Sequence, residues 1–247
     1  MPATKYELKP GLATREAFGK ALVELGKQNP NVVVLDADLS KSTYTAGFAK
    51  EFPERFIECG IAEANMVAIG AGLASAGKIP FAASFSVFIL NKGFEQLRVT
   101  VAFPNVNLKV VGTHSGISIG EDGPSQMSIE DLSLACSLPG FTVLCPADEV
   151  SMKKLVHAAA AHVGPVFLRA GRSKADLHDE GDGFLRCENH GQGAALFVSR
   201  IHITPPCKRR SRAVGAHFFT TCHQLCRVNA DERIEIVHGP CQRGPRH

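Results

Sequence analysis

The chain has 247 residues, 45% of them hydrophobic, and a formal net charge of +3. That length suits one large α/β domain, or one domain and part of another, and the charge is too small to point to nucleic acid or a membrane surface. Met1–Arg15 has no apolar core of the signal-peptide kind. The uncharged pieces of the most apolar region are 14 residues (Ala64–Gly77) and 12 residues (Ile79–Leu90), short of the roughly 18–20 that span a bilayer. The expected compartment is the cytoplasm.

In chain order, Leu12, Phe18, Ala21, Leu22 and Leu25 have helical spacing over 12–27, closed by Gly26 and Pro30. Val32–Leu35, inside Asn31–Asp36, suits a strand buried on both faces. A polar loop, Asp38–Thr43, leads to a short helix over Thr45–Glu51. Arg55–Cys59 predicts a second strand and Glu63–Gly77 a long helix of small residues. Ile79–Ser84 predicts a third strand and Phe88–Phe103 a helix with Leu90, Phe94, Leu97 and Val101 on one face. Asn107–Thr113 is the fourth strand, and His114–Ser128 a glycine-rich loop. Ile129–Cys136 is helical, Phe141–Cys145 a strand, Asp148–His162 a helix capped by Asp148, and Pro165–Arg169 a sixth strand.

Strand and helix alternate, with connections too long for hairpins. The expected fold class is therefore α/β, a doubly wound, mostly parallel sheet with helices on both faces, in one domain over 1–175. Lys174–Gly183 is polar and acidic, as a linker is.

Residues 176–247 form an atypical tail. From Leu185 to His247 there are ten Lys/Arg against four Asp/Glu, five of the eight cysteines and six of the ten histidines. Apart from a weak apolar run at Ala194–Val198, no periodicity is sustained. Three readings stay open: zinc ligands, for which Cys222, Cys226, His238 and Cys241 have unconvincing spacing; a disordered basic tail; or out-of-frame coding after about residue 185, with a C-terminal domain missing.

Three loops converge at the carboxyl ends of the strands, where a parallel α/β sheet presents its chemistry: Asp36–Thr43, Gly60–Glu63 and Gly112–Ser125. Glu63 falls in a first helical turn, where an acid can simply complement the helix dipole. The third loop is long for a compact domain and carries His114, Glu121 and Asp122 among glycines, which let backbone approach a ligand. No nucleotide-phosphate loop is present, nor a Gly-x-Ser-x-Gly hydrolase elbow.

The segments 57–66, IECGIAEANM, and 112–131, which contains GTH and GEDGPSQMSIED, resemble the pyrimidine-binding domain of transketolase over about residues 10–175. The resemblance is to the C-terminal section of a split transketolase. It implies thiamine diphosphate and Mg as cofactors, with the diphosphate and metal held by a separate N-terminal subunit and no metal ligand in this chain. Glu63 would match the glutamate on the aminopyrimidine ring, which favours the imino tautomer that activates the cofactor. Phe85 and Phe88 would match pyrimidine-stacking aromatics, with Phe88 the better placed, and Asp38 a loop near the cofactor across the subunit contact. His114 would lie by the sugar hydroxyls and phosphate, Asp122 would read an aldose hydroxyl, and Arg15, Ser42 and Arg172 would hold the sugar phosphate. Gln126 stands where many microbial and plant members have histidine; animal-type members share the Gln. The implied activity is transfer of a two-carbon ketol unit between phosphorylated sugars, in a homodimer or heterotetramer with no nucleic-acid or membrane partner. Alternatives are a truncated non-catalytic subunit, or a related thiamine diphosphate enzyme such as a deoxyxylulose-phosphate synthase or a 2-oxo acid dehydrogenase β subunit. The loop GEDGPSQM favours transketolase over the latter two.

Overall fold

The structure, a computed structural model, describes residues 9–176 and four short strands at 184–187, 195–199, 227–228 and 234–235. The chain divides into two compact units, Met1–His202 and Ile203–His247.

In the first unit, β1 (Pro10–Ala13) leads into α1 (Thr14–Gln28), then β2 (Val32–Asp36), α2 (Ser40–Thr43), α3 (Ala46–Glu51) and β3 (Phe56–Glu58). α4 (Glu63–Ser75), β4 (Ile79–Phe85), α5 (Ser86–Gln96) and β5 (Lys109–Thr113) follow. α6 (Asp131–Ser137), β6 (Thr142–Cys145), α7 (Glu149–Ala161) and β7 (Val166–Arg169) complete the alternation, before β8 (Lys174–Asp176), β9 (Phe184–Cys187) and β10 (Ala195–Ser199). The main sheet has the order β3-β2-β4-β5-β7-β6-β10-β9. Every pair in it is parallel except β9 with β10. The expected mostly parallel sheet with helices on both faces is thus present.

Strand side chains alternate between two cores. Val34, Phe81, Ala83, Val111 and Leu168 pack with Phe18 and Leu22 of α1, Phe48 of α3 and Met152 of α7. Leu35, Ala82, Val110 and Phe167 pack on the other face with Met66 of α4, Ile89 of α5 and Ala135 of α6. β2 is buried along its whole length, as its β-branched run requires. From β2 the chain runs outward to β3, then returns to place β4 on the other side of β2. This reversal opens a crevice at the carboxyl ends of β2 and β4, where ligands bind in sheets of this kind.

Helix ends follow local chemistry. Asp148 caps α7 by accepting from the Ser151 amide at 2.8 Å. The helix expected to run to Phe103 departs from α-helical geometry after Gln96, and Leu97–Ala102 form a wider π-type turn. Lys174–Asp176, read as linker, instead form β8, which pairs antiparallel with β1. Beyond Leu185, where periodicity is not sustained, β10 overlaps the weak apolar run at Ala194–Val198 and pairs with β6 in register from Ala195 against Thr142. Backbone pairing at an open sheet edge needs no side-chain pattern.

In the second unit, β11 (Arg227–Val228) and β12 (Ile234–Glu235) pair antiparallel. The zinc candidates Cys222, Cys226, His238 and Cys241 lie outside the described residues, as does most of the stretch to which the disorder and reading-frame interpretations apply. Among the described residues, no helix is long and apolar enough to cross a membrane.

Candidate functional site

β3 ends at Glu58, and Gly60 takes a φ of +67°, a left-handed conformation that a side chain resists. That turn sends the chain into α4, whose first residue is Glu63, 2% exposed. A buried carboxylate needs a partner. Lys92 supplies one, its Nζ donating to Glu63 Oε2 at 3.3 Å. α5 comes this close because residue 93 is glycine: a Cβ there would sit 3.2 Å from Val67 and 3.7 Å from the Glu63 carbonyl oxygen. The same ammonium lies 4.4 Å above the Phe88 ring, a cation–π contact between residues four apart on one helix face.

Phe85, at the end of β4, stacks on Phe88 with centroids 5.5 Å apart and an 11° interplanar angle. It also stacks on His114 at 3.8 Å. His114 follows β5 with a φ of +55° and is 3% exposed. Its Nε2 lies 3.0 Å from Arg15 Nη1 and its Nδ1 2.9 Å from Thr113 Oγ1. Burial, then the charges of Arg15 and Arg172, push the imidazole pKa down to about 3. Arg15 Nη1 also donates to the Ser42 carbonyl at 2.8 Å, and its guanidinium lies over the Tyr44 ring. Arg15 Nε is buried with no hydrogen-bond partner among the described residues.

Arg172, just beyond β7, anchors the long loop. Its Nη2 donates to Glu121 Oε1 at 2.8 Å and its Nη1 to Asp122 Oδ2 at 3.3 Å. The first of these holds the Glu121 carboxyl below its usual range. Reciprocal backbone bonds between Gly116 and Ser128 close the neck of the loop. Gly120 adopts a φ of +84°, and a Cβ there would lie 3.0 Å from Arg172 Nη1.

Contacts therefore join Glu63, Lys92, Phe88, Phe85, His114, Arg15 and Ser42 in one line. Arg172, with Asp122, reaches it through its charge at His114. Ser42 enters through its carbonyl oxygen. Asp38 and Gln126 stand apart, and neither is hydrogen-bonded to another candidate. Asp38 is exposed at a φ of +60°, its amide donating to Glu58 Oε1 at 2.7 Å. The Glu58 carboxylate also accepts from the Gly60 amide, tying the loop after β2 to the loop after β3. Gln126 lies in a short 3₁₀ turn, its Nε2 donating to Ser125 Oγ.

Sequence reasoning missed three residues. Lys92 had a signal only in its four-residue offset from Phe88. Thr113 had only its place before His114. Asp36 is fully buried and accepts from the Leu39 amide and the Thr43 and Thr45 hydroxyls, shaping the loop that carries Ser42. Burial pushes its pKa up to about 6 against the opposing effect of these bonds.

Comparison with known proteins gives this geometry a family. The family described as transketolase, pyrimidine binding domain matches residues 10–176. A protein of Methanocaldococcus jannaschii described as a transketolase C-terminal section is 47% identical over 163 residues, 66% of this chain and 52% of the relative. Transketolase of Homo sapiens is 41% identical over 181 residues, 72% of this chain and 29% of the relative. The chain thus spans about half or less of the length of these relatives. Among solved structures, a split-gene transketolase described as an inactive β4 tetramer is 39% identical, with a TM-score of 0.62, covering 76% of this chain and 70% of that one. Transketolase of Campylobacter jejuni is 26% identical, with a TM-score of 0.66, covering 79% of this chain and 36% of that one. With its match over residues 10–176, the chain belongs to the transketolase family, of which it carries the pyrimidine-binding domain.

Proposed function

We propose that this chain is the pyrimidine-binding half of a thiamine diphosphate-dependent enzyme that transfers a two-carbon ketol unit between phosphorylated sugars. An N-terminal chain would complete it and hold the diphosphate and Mg. The family implies the cofactor, and the residues present fit its pyrimidine ring. Glu63 is a buried carboxylate whose one hydrogen-bond partner among the described residues is Lys92, on Oε2. Its Oε1 remains available to a ring N–H beside the half-buried Phe88. That pairing carries the proposal.

When bound, thiamine diphosphate supplies a carbon that takes up the ketol unit and acts as its electron sink. The chain's own residues bind and position. Glu63 holds a proton at the pyrimidine nitrogen, in a site dry enough to strengthen that bond. Phe88 offers the ring a face, while Phe85 backs it from the core. Arg15 and Arg172 suit a phosphate dianion, and the unpartnered Arg15 Nε supports an acceptor arriving there. The Ser42 loop, His114, Asp122 and Gln126 would line the sugar, and Asp38 the neighbouring loop towards the cofactor.

The assay is ketol transfer from xylulose 5-phosphate to ribose 5-phosphate. It is run with this chain alone, then with the N-terminal chain, thiamine diphosphate and Mg. Activity is expected in the mixture only, in keeping with the description of the similar split-gene β4 tetramer as inactive. Turnover by the single chain would refute the split arrangement. A folded, assembled mixture without turnover would favour a non-catalytic subunit.

A further inference from the structure

We propose that Thr113 is a positioning residue that, together with Arg15, holds His114 as the neutral Nδ1–H tautomer with its Nε2 lone pair turned towards Arg15. Hydrogen-bond directions leave one consistent assignment. A guanidinium has only donors, so Nε2, 3.0 Å from Arg15 Nη1, must be the acceptor and carries no proton. The ring's proton is then on Nδ1 and donates to Thr113 Oγ1 at 2.9 Å. The Thr113 hydroxyl in turn donates to the Ser84 carbonyl at 3.2 Å. The relay runs in one direction from Arg15 through the ring to the backbone of β4, and each donor along it meets an acceptor. Reversing it would set two N–H groups against each other at Nε2, and an imidazolium would do the same next to a fixed cation.

The surroundings agree. The groups facing the ring are Arg15 from α1, Arg172 from beyond β7, the Phe85 ring from β4 and Thr113 at the end of β5. No carboxylate is bonded to it among the described residues; Glu121 and Asp122 are engaged by Arg172 instead. Resting on the function proposed above, the arrangement links substrate anion to histidine. A phosphate that engages Arg15 draws Nη1 from Nε2 and frees that lone pair to accept a hydrogen bond from a sugar hydroxyl.

The test is long-range ¹H–¹⁵N NMR on the full 247-residue chain with labelled histidine, the His114 signals being identified by their loss in His114→Gln. The wild type should show a neutral ring protonated at Nδ1 that does not titrate between about pH 5 and 8. Thr113→Val should lose the Nδ1–H state, by a shift to Nε2–H or by titration within that range, and Thr113→Ser should restore it. A wild-type ring protonated at Nε2, or charged near neutrality, overturns the assignment. An unchanged tautomer in folded Thr113→Val overturns the role of Thr113. Should that variant not fold, loss of the Nδ1–H state in Thr113→Ser would do the same. None of these readouts involves ketol transfer, so failure here and failure of the proposed activity are distinguishable.

Discussion

Lys92 and Glu63, from the facing helices α5 and α4, form an ion pair 3.3 Å long in which the carboxylate is buried and the ammonium half exposed. Removing the lysine leaves a buried charge unpaired, which costs more than a surface pair is worth. The open side of the pair moderates the loss. Lys92→Met should destabilise the chain by about 1 kcal/mol, read in urea unfolding. Adding Glu63→Gln should recover most of that, because the amide needs no cation. Equal stability of Lys92→Met and wild type would mean the pair is immaterial.

Glu63→Gln keeps the shape of the side chain but not its charge. In the reconstituted mixture, turnover should fall by at least ~100-fold, the scale of a positioned proton-transfer group, with thermal unfolding little changed. Wild-type rates in this variant would remove Glu63 from the mechanism.

Arg15→Ala and Arg172→Ala separate phosphate binding from chemistry. A charge-assisted hydrogen bond contributes ~1.5–3 kcal/mol, so each should raise KM for phosphorylated sugars by ~10–100-fold. Kinetics with the unphosphorylated sugars should change less, by only the part of the effect that runs through His114 and Asp122. Parallel losses on both substrate classes would argue against an anion at these side chains.

Two buried groups give stability opposite dependences on pH. His114 falls from an ordinary 6.5 to about 3 on folding, so its contribution is present above pH 6.5 and is lost as pH drops through that interval. Asp36 rises from 3.8 to about 6, so its contribution is present below pH 3.8 and is lost as pH climbs through 6. Each acts with a slope of at most ~1.4 kcal/mol per pH unit. Between about pH 4 and 6, His114→Gln should therefore lessen the acid loss of stability, and Asp36→Asn should steepen it. Denaturant midpoints of the three chains across that range decide the matter; identical curves would refute both assignments.

Lys109 offers a control away from the site. It begins β5, at the end of the strand opposite His114, and is fully buried. Its Nζ donates to Asn107 Oδ1 and to the carbonyls of His162 and Gly164. Lys109→Met removes the ammonium that these three acceptors share and should cost ~2–4 kcal/mol, with ketol transfer by the folded fraction unchanged. A specific loss of activity would show coupling through β5.

The sequence by itself determined the alternation of strands and helices, because burial on both faces of a parallel sheet forces apolar runs such as Val32–Leu35, and helices between them must show one apolar face. It also placed Glu63 at a helix start and His114 beyond a strand end, since turn residues and strand ends are local signals. β8 and β10 were not legible: their pairing with β1 and β6 depends on free backbone edges far away in the chain. Only the tertiary structure decided what each site residue touches. It paired Glu63 with Lys92 across 29 residues and His114 with Arg15 across 99, contacts with no periodic trace. The tautomer of His114, the burial of Asp36 and the engagement of Arg172 by the long loop follow from those meetings, since charge state and hydrogen-bond direction depend on neighbours in space.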